Sequence, residues 1–249
     1  MKVYLFKDHA DTSEYAAKVL IDQLKTRPNS VLGLATGSTP IELYQLLIKA
    51  FQDHEISFQD VITFNLDEYL GIPADHPQSY ARFMHEQLFS SIDIRKHSVH
   101  IPNGTSQDPD QVGRAYEEAI RQAGGIDLQV LGLGNNGHIG FNEPDEELQN
   151  YTHATHLTQE TRQANARFFG SIEDVPTDAI TMGMGTILRA GKIVLLASGE
   201  HKADAVQKTV EGGISTRIPA SLLQLHPDVL VLVDRAAGSK LNPDSYEVR

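Results

Sequence analysis

Residues Asp127–Pro144 read DLQVLGLGNNGHIGFNEP: an apolar run that ends in a glycine-dense turn carrying one histidine, one glutamate and three asparagines. A strand that empties into such a turn lets backbone and polar side chains converge on a small ligand at its carboxyl end, which a packing segment has no reason to do. Working outward, similar short apolar runs recur at Lys2–Phe6, Ser30–Ala35, Val61–Asn65, Lys192–Ser198 and Pro227–Val233, separated by longer stretches with helical spacing. Asp11 and Glu14 read as a capping pair ahead of Ala16, Val19, Leu20 and Leu24, and Pro40 opens a second helix carrying Leu43, Leu46 and Leu47. Strands that are nearly all apolar (VLGLA, KIVLLA, VLVLV) belong to parallel sheets covered on both faces. The pattern predicts an α/β fold: a Rossmann-like, open, mainly parallel twisted sheet with helices on both faces, forming a single domain with a mobile lid.

Composition narrows the function classes. The chain has 249 residues, 40% of them hydrophobic, enough for a core that needs no staples. It contains no cysteine, which excludes disulfides, thiolate metal sites and cysteine nucleophiles. A net charge of -12 without a basic cluster argues against nucleic acid. No run reaches the roughly 18 apolar residues of a membrane span, and acids at Asp8 and Asp11 break any signal-peptide pattern, so no membrane association and a cytoplasmic location are expected. An acidic protein can still hold a small anion with a few local cations and helix dipoles.

In open sheets of this class ligands bind beyond the carboxyl ends of the strands, so the residues after each strand carry the functional reading. Thr36-Gly37-Ser38-Thr39 leads directly into a helix amino terminus and offers hydroxyl and amide donors, a cradle for phosphate or carboxylate that is not a P-loop. Capping alone would also favour Ser and Thr there. Asn65-Leu66-Asp67-Glu68-Tyr69 places two acids at a strand end; in extended chain they face opposite sides, so Asp67 and Glu68 should not share a task. Gly132, Gly134 and Gly137 match GxGxxG, but HIGFNEP follows where a dinucleotide site needs a helix, and no acid follows at ribose distance. An NAD site is set aside, and the glycines instead let His138 and Glu143 approach a ligand. A single histidine matches no zinc spacing, so no metal is expected. Arg167 in NARFF and Lys202 in SGEHKA are, singly, ordinary surface cations; together with Thr36–Thr39 they could close on a phosphate, one as a fork and one as a point charge.

TGSTP, FNLDEYLG, GNNGHIGFNEP, TRQANARFF and SGEHKA, in this order and spread over roughly Lys2 to Ala236, resemble the glucosamine-6-phosphate deaminase (isomerising) family. The resemblance implies conversion of glucosamine 6-phosphate and water to fructose 6-phosphate and ammonia, with no cofactor. By the same resemblance His138 opens the sugar ring, Glu143 pairs with it, Asp67 removes the C2 proton, and Thr36, Gly37, Ser38, Thr39, Arg167 and Lys202 hold the 6-phosphate, with Gly134 and Gly137 in the substrate loop. Asn136 stands where many members carry an aspartate; an amide can orient His138 but cannot stabilise its cation by charge. The stretch after NEP reads DEELQNYTHATHL, with His153 and His156 but none of the basic side chains by which allosteric members bind an acetylated sugar phosphate, so activation is not expected. A monomer or small homo-oligomer, a lid over Tyr151–Pro176 and a frayed tail after Gly238 complete the expectation. A 6-phosphogluconolactonase-like hydrolase and a non-catalytic sugar-phosphate-binding regulatory domain are the rival readings; neither explains a C2 base at Asp67.

Overall fold

The computed structural model describes residues 1–249. In chain order the elements are β1 (Lys2–Phe6), α1 (His9–Thr26), β2 (Val31–Leu34), α2 (Ile41–Gln52), β3 (Ile62–Asn65), β4 (Asp67–Tyr69), α3 (Tyr80–Gln87), β5 (Val99–His100) and α4 (Pro109–Gln122). There follow β6 (Leu128–Gly132), β7 (His153–His156), α5 (Gln159–Phe169), β8 (Asp178–Thr181), α6 (Met184–Leu188), β9 (Lys192–Ala197), α7 (Ala203–Val210), β10 (Val229–Asp234) and β11 (Glu247–Val248).

Eight strands form one open sheet in the order β11-β1-β10-β9-β6-β2-β3-β5, and every pairing in it is parallel. The apolar runs explain its centre: every residue of β10 is buried, as are five of six in β9, because helices leave neither face to water. The sheet core is continuous with the buried faces of the helices, for example Ala16, Ala17, Leu20 and Leu24 of α1. That helix begins earlier than the sequence predicts: Asp8, not Asp11, is its cap, accepting from the Asp11 N–H at 3.1 Å. Close to the middle, Gly33 of β2 faces Gln129 of β6, and a Cβ there would lie 2.0 Å from Gln129 Oε1. The glycine makes room for a buried amide, whose Nε2 donates to the Val130 carbonyl at 2.9 Å.

Two features position the site. First, the chain runs from β2 outward to β3 and β5, and from the adjacent β6 the opposite way to β9 and β10. The loops leaving β2 and β6 therefore diverge and leave a crevice above the switch point. Second, a small antiparallel sheet, β4-β8-β7, departs from the sequence expectation. Leu66 is its pivot: its N–H donates to the Leu34 carbonyl at 3.1 Å and its carbonyl accepts from Met182 N at 2.7 Å, so the next residue, Asp67, starts β4 paired with Thr181.

Two regional expectations change. The tail beyond Gly238, expected to fray, is laid down as β11 against β1; the Arg249 N–H donates to the Leu5 carbonyl at 2.9 Å and Leu241 is buried in the core. The stretch 151–176, expected as one lid, divides into β7, hydrogen-bonded into the small sheet, and α5, a mostly polar helix whose single buried side chain is Thr161. No helix is long and apolar enough to cross a membrane.

Candidate active site

The carboxyl ends of β2, β3, β6 and β9 and the inner side of α5 enclose a cleft of 370 Å³. Thr36, Gly37, Ser38, Thr39, Asp67, Gly134, Asn136, His138, Arg167 and Lys202 all line it, although they come from five separate stretches of sequence. Gly137 and Glu143, also expected at the site, stand behind this lining and support it. No helix opens at Gly137; the chain continues through a turn closed by the Ile139–Asn142 bridge, which is incompatible with a dinucleotide fingerprint.

The histidine loop is built by its glycines. The Gly134 N–H donates to the His138 carbonyl at 2.9 Å, and the Gly137 N–H donates to the Gly134 carbonyl at 3.0 Å. Gly137 sits at φ +89°, where L side chains are strained. At Gly134 a Cβ would lie 2.5 Å from three ring carbons of His138, so only a bare backbone lets the imidazole lie flat on the loop. Asn136 positions His138 through the histidine's backbone rather than through its ring. Its Oδ1 accepts from the His138 backbone N–H at 3.1 Å and its Nδ2 donates to Glu143 Oε2 at 2.8 Å, so it organises the loop and the carboxylate rather than the ring. His138 Nδ1 lies 3.3 Å from the same Oε2 but off the hydrogen-bond line. The second carboxylate oxygen, Oε1, accepts from the Thr161 hydroxyl. Burial pushes the Glu143 carboxyl toward protonation, but His138, Thr161 and Asn136 together outweigh it and hold its pKa below the usual value. Glu143 is therefore an anion at neutral pH despite being only 9% exposed.

Asp67 is the opposite case. Burial first, and the neighbouring Glu68 second, push its pKa up to about 8. Glu68 points away from the cleft and accepts from the N–H groups of Tyr69, Tyr80 and Ala81, each at 2.9 Å, which caps α3. The two acids thus divide as strand geometry requires. A Cβ at Gly140, φ +58°, would come within 3.4 Å of Asp67 Oδ2, so the histidine loop closes onto this acid through a glycine as well.

At the other end of the cleft Lys202 follows β9 and Arg167 ends α5. The Lys202 pKa is lowered to about 8, by burial first and by the Arg167 charge second. Half-buried Lys202 and exposed Arg167 disfavour each other and line the same cleft as the hydroxyls of Thr36, Ser38 and Thr39, a set of groups chemically suited to an anion. Arg167 is steadied by the Phe168 ring, 4.6 Å from its guanidinium carbon.

Sequence reasoning missed several lining residues: Tyr80, Phe141, Thr161, Asn165 and His201. His201 adjoins Lys202 in SGEHKA and could have been found from that neighbour. The others arrive by packing, as when Tyr80 and Phe141 stack with ring centroids 6.0 Å apart. No group of three His, Cys, Asp or Glu side chains is arranged to hold a metal ion. One cleft thus gathers two cations with the Thr36–Thr39 turn, a buried acid whose pKa burial raises, and an imidazole backed by a carboxylate.

Comparison with known proteins places these features in context. A family model described as glucosamine-6-phosphate isomerases/6-phosphogluconolactonase matches residues 9–231. The chain is 54% identical over 244 residues to the glucosamine-6-phosphate deaminase of Thermoanaerobacter pseudethanolicus, covering 98% of this chain and 96% of that one. It is 51% identical over 248 residues to the glucosamine-6-phosphate deaminase of Clostridioides difficile, with complete coverage of both. Among solved structures, a monomeric glucosamine-6-phosphate deaminase superposes with a TM-score of 0.94 at 47% identity, covering 96% of this chain and 99% of that one. The 6-phosphogluconolactonase of Trypanosoma cruzi shares the fold, with a TM-score of 0.79 at 20% identity and 97% coverage of each chain.

Proposed function

The chain belongs to the glucosamine-6-phosphate isomerase/6-phosphogluconolactonase family, and from that premise we infer how its cleft carries out the isomerising deamination of glucosamine 6-phosphate to fructose 6-phosphate and ammonia. The observation that carries the assignment of roles is Asp67: a buried acid with its pKa pushed up to about 8, lining the same cleft as His138 and the cation pair. A lactone hydrolase has no carbon-bound proton to remove and no use for such a group.

Arg167, Lys202 and the Thr36–Thr39 turn hold the 6-phosphate, which fixes the reacting carbons in the cleft and converts binding energy into orientation. His138 takes the C1 hydroxyl proton and returns a proton to the ring oxygen, opening the ring to the aldehyde; the Glu143 anion behind it favours the transient imidazolium. Asp67, as carboxylate, removes the C2 proton to give the enol-amine and delivers that proton to C1. The amino sugar's own cation, brought against Asp67, offsets burial and favours the ionised acid. The C2 iminium left by this transfer adds water, and the carbinolamine expels ammonia as the C2 carbonyl forms.

Helix α5, Gln159–Phe169, acts as the moving part of the lid, since it contributes Arg167 to the phosphate end and buries little else. The protein works as a monomer in the cytoplasm, in keeping with its likeness to a monomeric deaminase, and is not activated by N-acetylglucosamine 6-phosphate, since DEELQNYTHATHL lacks basic side chains. A coupled assay for ammonia and fructose 6-phosphate, run with and without the acetylated sugar phosphate and beside a 6-phosphogluconolactone control, tests activity and regulation together. The expected result is ammonia release that the acetylated ligand does not increase; acid release from the lactone without ammonia from the amino sugar would overturn the reading.

A further inference from the structure

The carboxylate of Glu143 is gripped from two sides by separate parts of the chain, the histidine loop and helix α5. Oε2 belongs to the histidine loop: it accepts from Asn136 Nδ2 at 2.8 Å and lies 3.3 Å from His138 Nδ1. Oε1 accepts from the Thr161 hydroxyl, carried by the first turn of α5. Thr161 is fixed in that turn, since its N–H donates at 3.2 Å to the hydroxyl of Thr158, the helix cap. The last turn of the same helix carries Arg167 into the phosphate end of the cleft. A rigid helix therefore joins the phosphate anchor to one oxygen of the carboxylate that serves His138. The other oxygen is near the imidazole yet misaligned, and His138 Nδ1 is buried without an aligned partner. The 3.3 Å separation is already within hydrogen-bond reach, so alignment and not distance is what the pair lacks.

We propose that Thr161 is a positioning residue for the deamination, its hydroxyl transmitting the seating of α5 on a bound sugar phosphate to the alignment of Glu143 with His138. The proposal rests on the roles given above to His138 and Glu143. When the phosphate draws Arg167 inward, the first turn of α5 shifts with it, and the bond to Oε1 turns the carboxylate so that Oε2 meets the imidazole. Ring opening is thereby tied to substrate being held at its far end, so the site is completed only around a phosphorylated sugar. The hydroxyl also keeps Glu143 anionic by donating to it, which adds to the same effect.

The test compares Thr161→Val, Thr161→Ser, Glu143→Gln and the Thr161→Val/Glu143→Gln double variant for ammonia release from glucosamine 6-phosphate. Valine keeps the branched shape and removes only the hydroxyl, and melting curves confirm that each variant folds. Loss of one hydrogen bond to a charged group predicts that kcat of Thr161→Val falls about ten-fold or more while KM stays within about three-fold. Serine restores most of the loss, and in the Glu143→Gln background the valine costs less than about two-fold, because the two groups act as one unit. A rise in KM with kcat unchanged, or an equal loss of kcat in both backgrounds, would overturn the coupling while leaving the deaminase reading intact. A wild-type protein that releases no ammonia would overturn that reading, and the coupling with it.

Discussion

Replacing Asp67 by asparagine makes the free protein more resistant to heat in alkaline buffer than in acid, relative to wild type. The reason is the proton that the folded chain retains. An aspartate carboxyl ordinarily titrates near 3.8, and in the folded chain burial first and Glu68 second raise that of Asp67 to about 8. Below about pH 4 the group is neutral in both states and adds no difference. Between about 4 and 8 the folded chain binds a proton that the unfolded chain has released, so stability is lost as pH rises, by about 1.4 kcal/mol for each pH unit. Above about 8 both states are ionised and the accumulated loss, on the order of 5 kcal/mol, stays constant. Asparagine has nearly the same shape and no such titration. In a chain of this size each kcal/mol moves Tm by about 2–4 °C, so the gap between variant and wild type widens by on the order of 10 °C from pH 4 to pH 9. The assay is a set of paired melting scans across that range; titrating groups that do not feel Asp67 are common to both proteins and cancel in the difference, as does any fixed offset from burying an amide. A gap that stays flat, or that narrows as pH rises, would refute the claim that burial holds a proton on Asp67.

Three further outcomes follow from the geometry. Arg167→Ala and Lys202→Ala each raise KM for glucosamine 6-phosphate by at least about ten-fold while scarcely changing the weak binding of free glucosamine, since the cations meet only the phosphate; steady-state kinetics on both sugars check this. Because the Lys202 pKa is lowered to about 8, its charge is present below that pH and lost above it, so affinity for a phosphorylated ligand in the free protein weakens as pH rises from 7 to 9, by calorimetric titration. Gly134→Ala places a methyl group 2.5 Å from the His138 ring carbons, so the ring is displaced and kcat falls by about 100-fold or more while Tm changes by only a few degrees.

The central sheet was legible because its strands carry the information locally. KIVLLA and VLVLV are too apolar to lie anywhere but between two layers of helices, and the glycine-rich turn after β6 announces a ligand by its composition. The small sheet was not legible: DEY, HATH and DAIT have three or four residues each and no apolar run, and they become strands only because the pivot at Leu66 delivers β4 to β8. The same distinction runs through the site. Thr36–Thr39, Asp67, His138 and Lys202 follow strands and could be found by asking what each strand end presents. Thr161, Tyr80 and Phe141 reach the cleft through helix placement and aromatic packing, which no local pattern encodes. Asn136 shows a subtler limit: its place beside His138 was legible, but its grip on Glu143 depends on how the turn folds back. The tail likewise has no strand-like run, and only its pairing with β1 makes it part of the sheet.

The account stands on Asp67 carrying a proton from C2 to C1 of the anchored sugar. Proton NMR of the reaction in deuterated water reads that transfer directly, in glucosamine 6-phosphate recovered part-way and in the fructose 6-phosphate formed. Wild-type protein should carry part of the substrate's C2 protium into C1 of product and, where the Asp67 proton exchanges with solvent while the enol-amine is bound, place deuterium at the rest of C1 and at C2 of recovered substrate, while Asp67→Asn, still binding the phosphorylated sugar within a few-fold, leaves C2 unlabelled. Exchange at C2 in the asparagine variant at the wild-type rate would contradict the assignment.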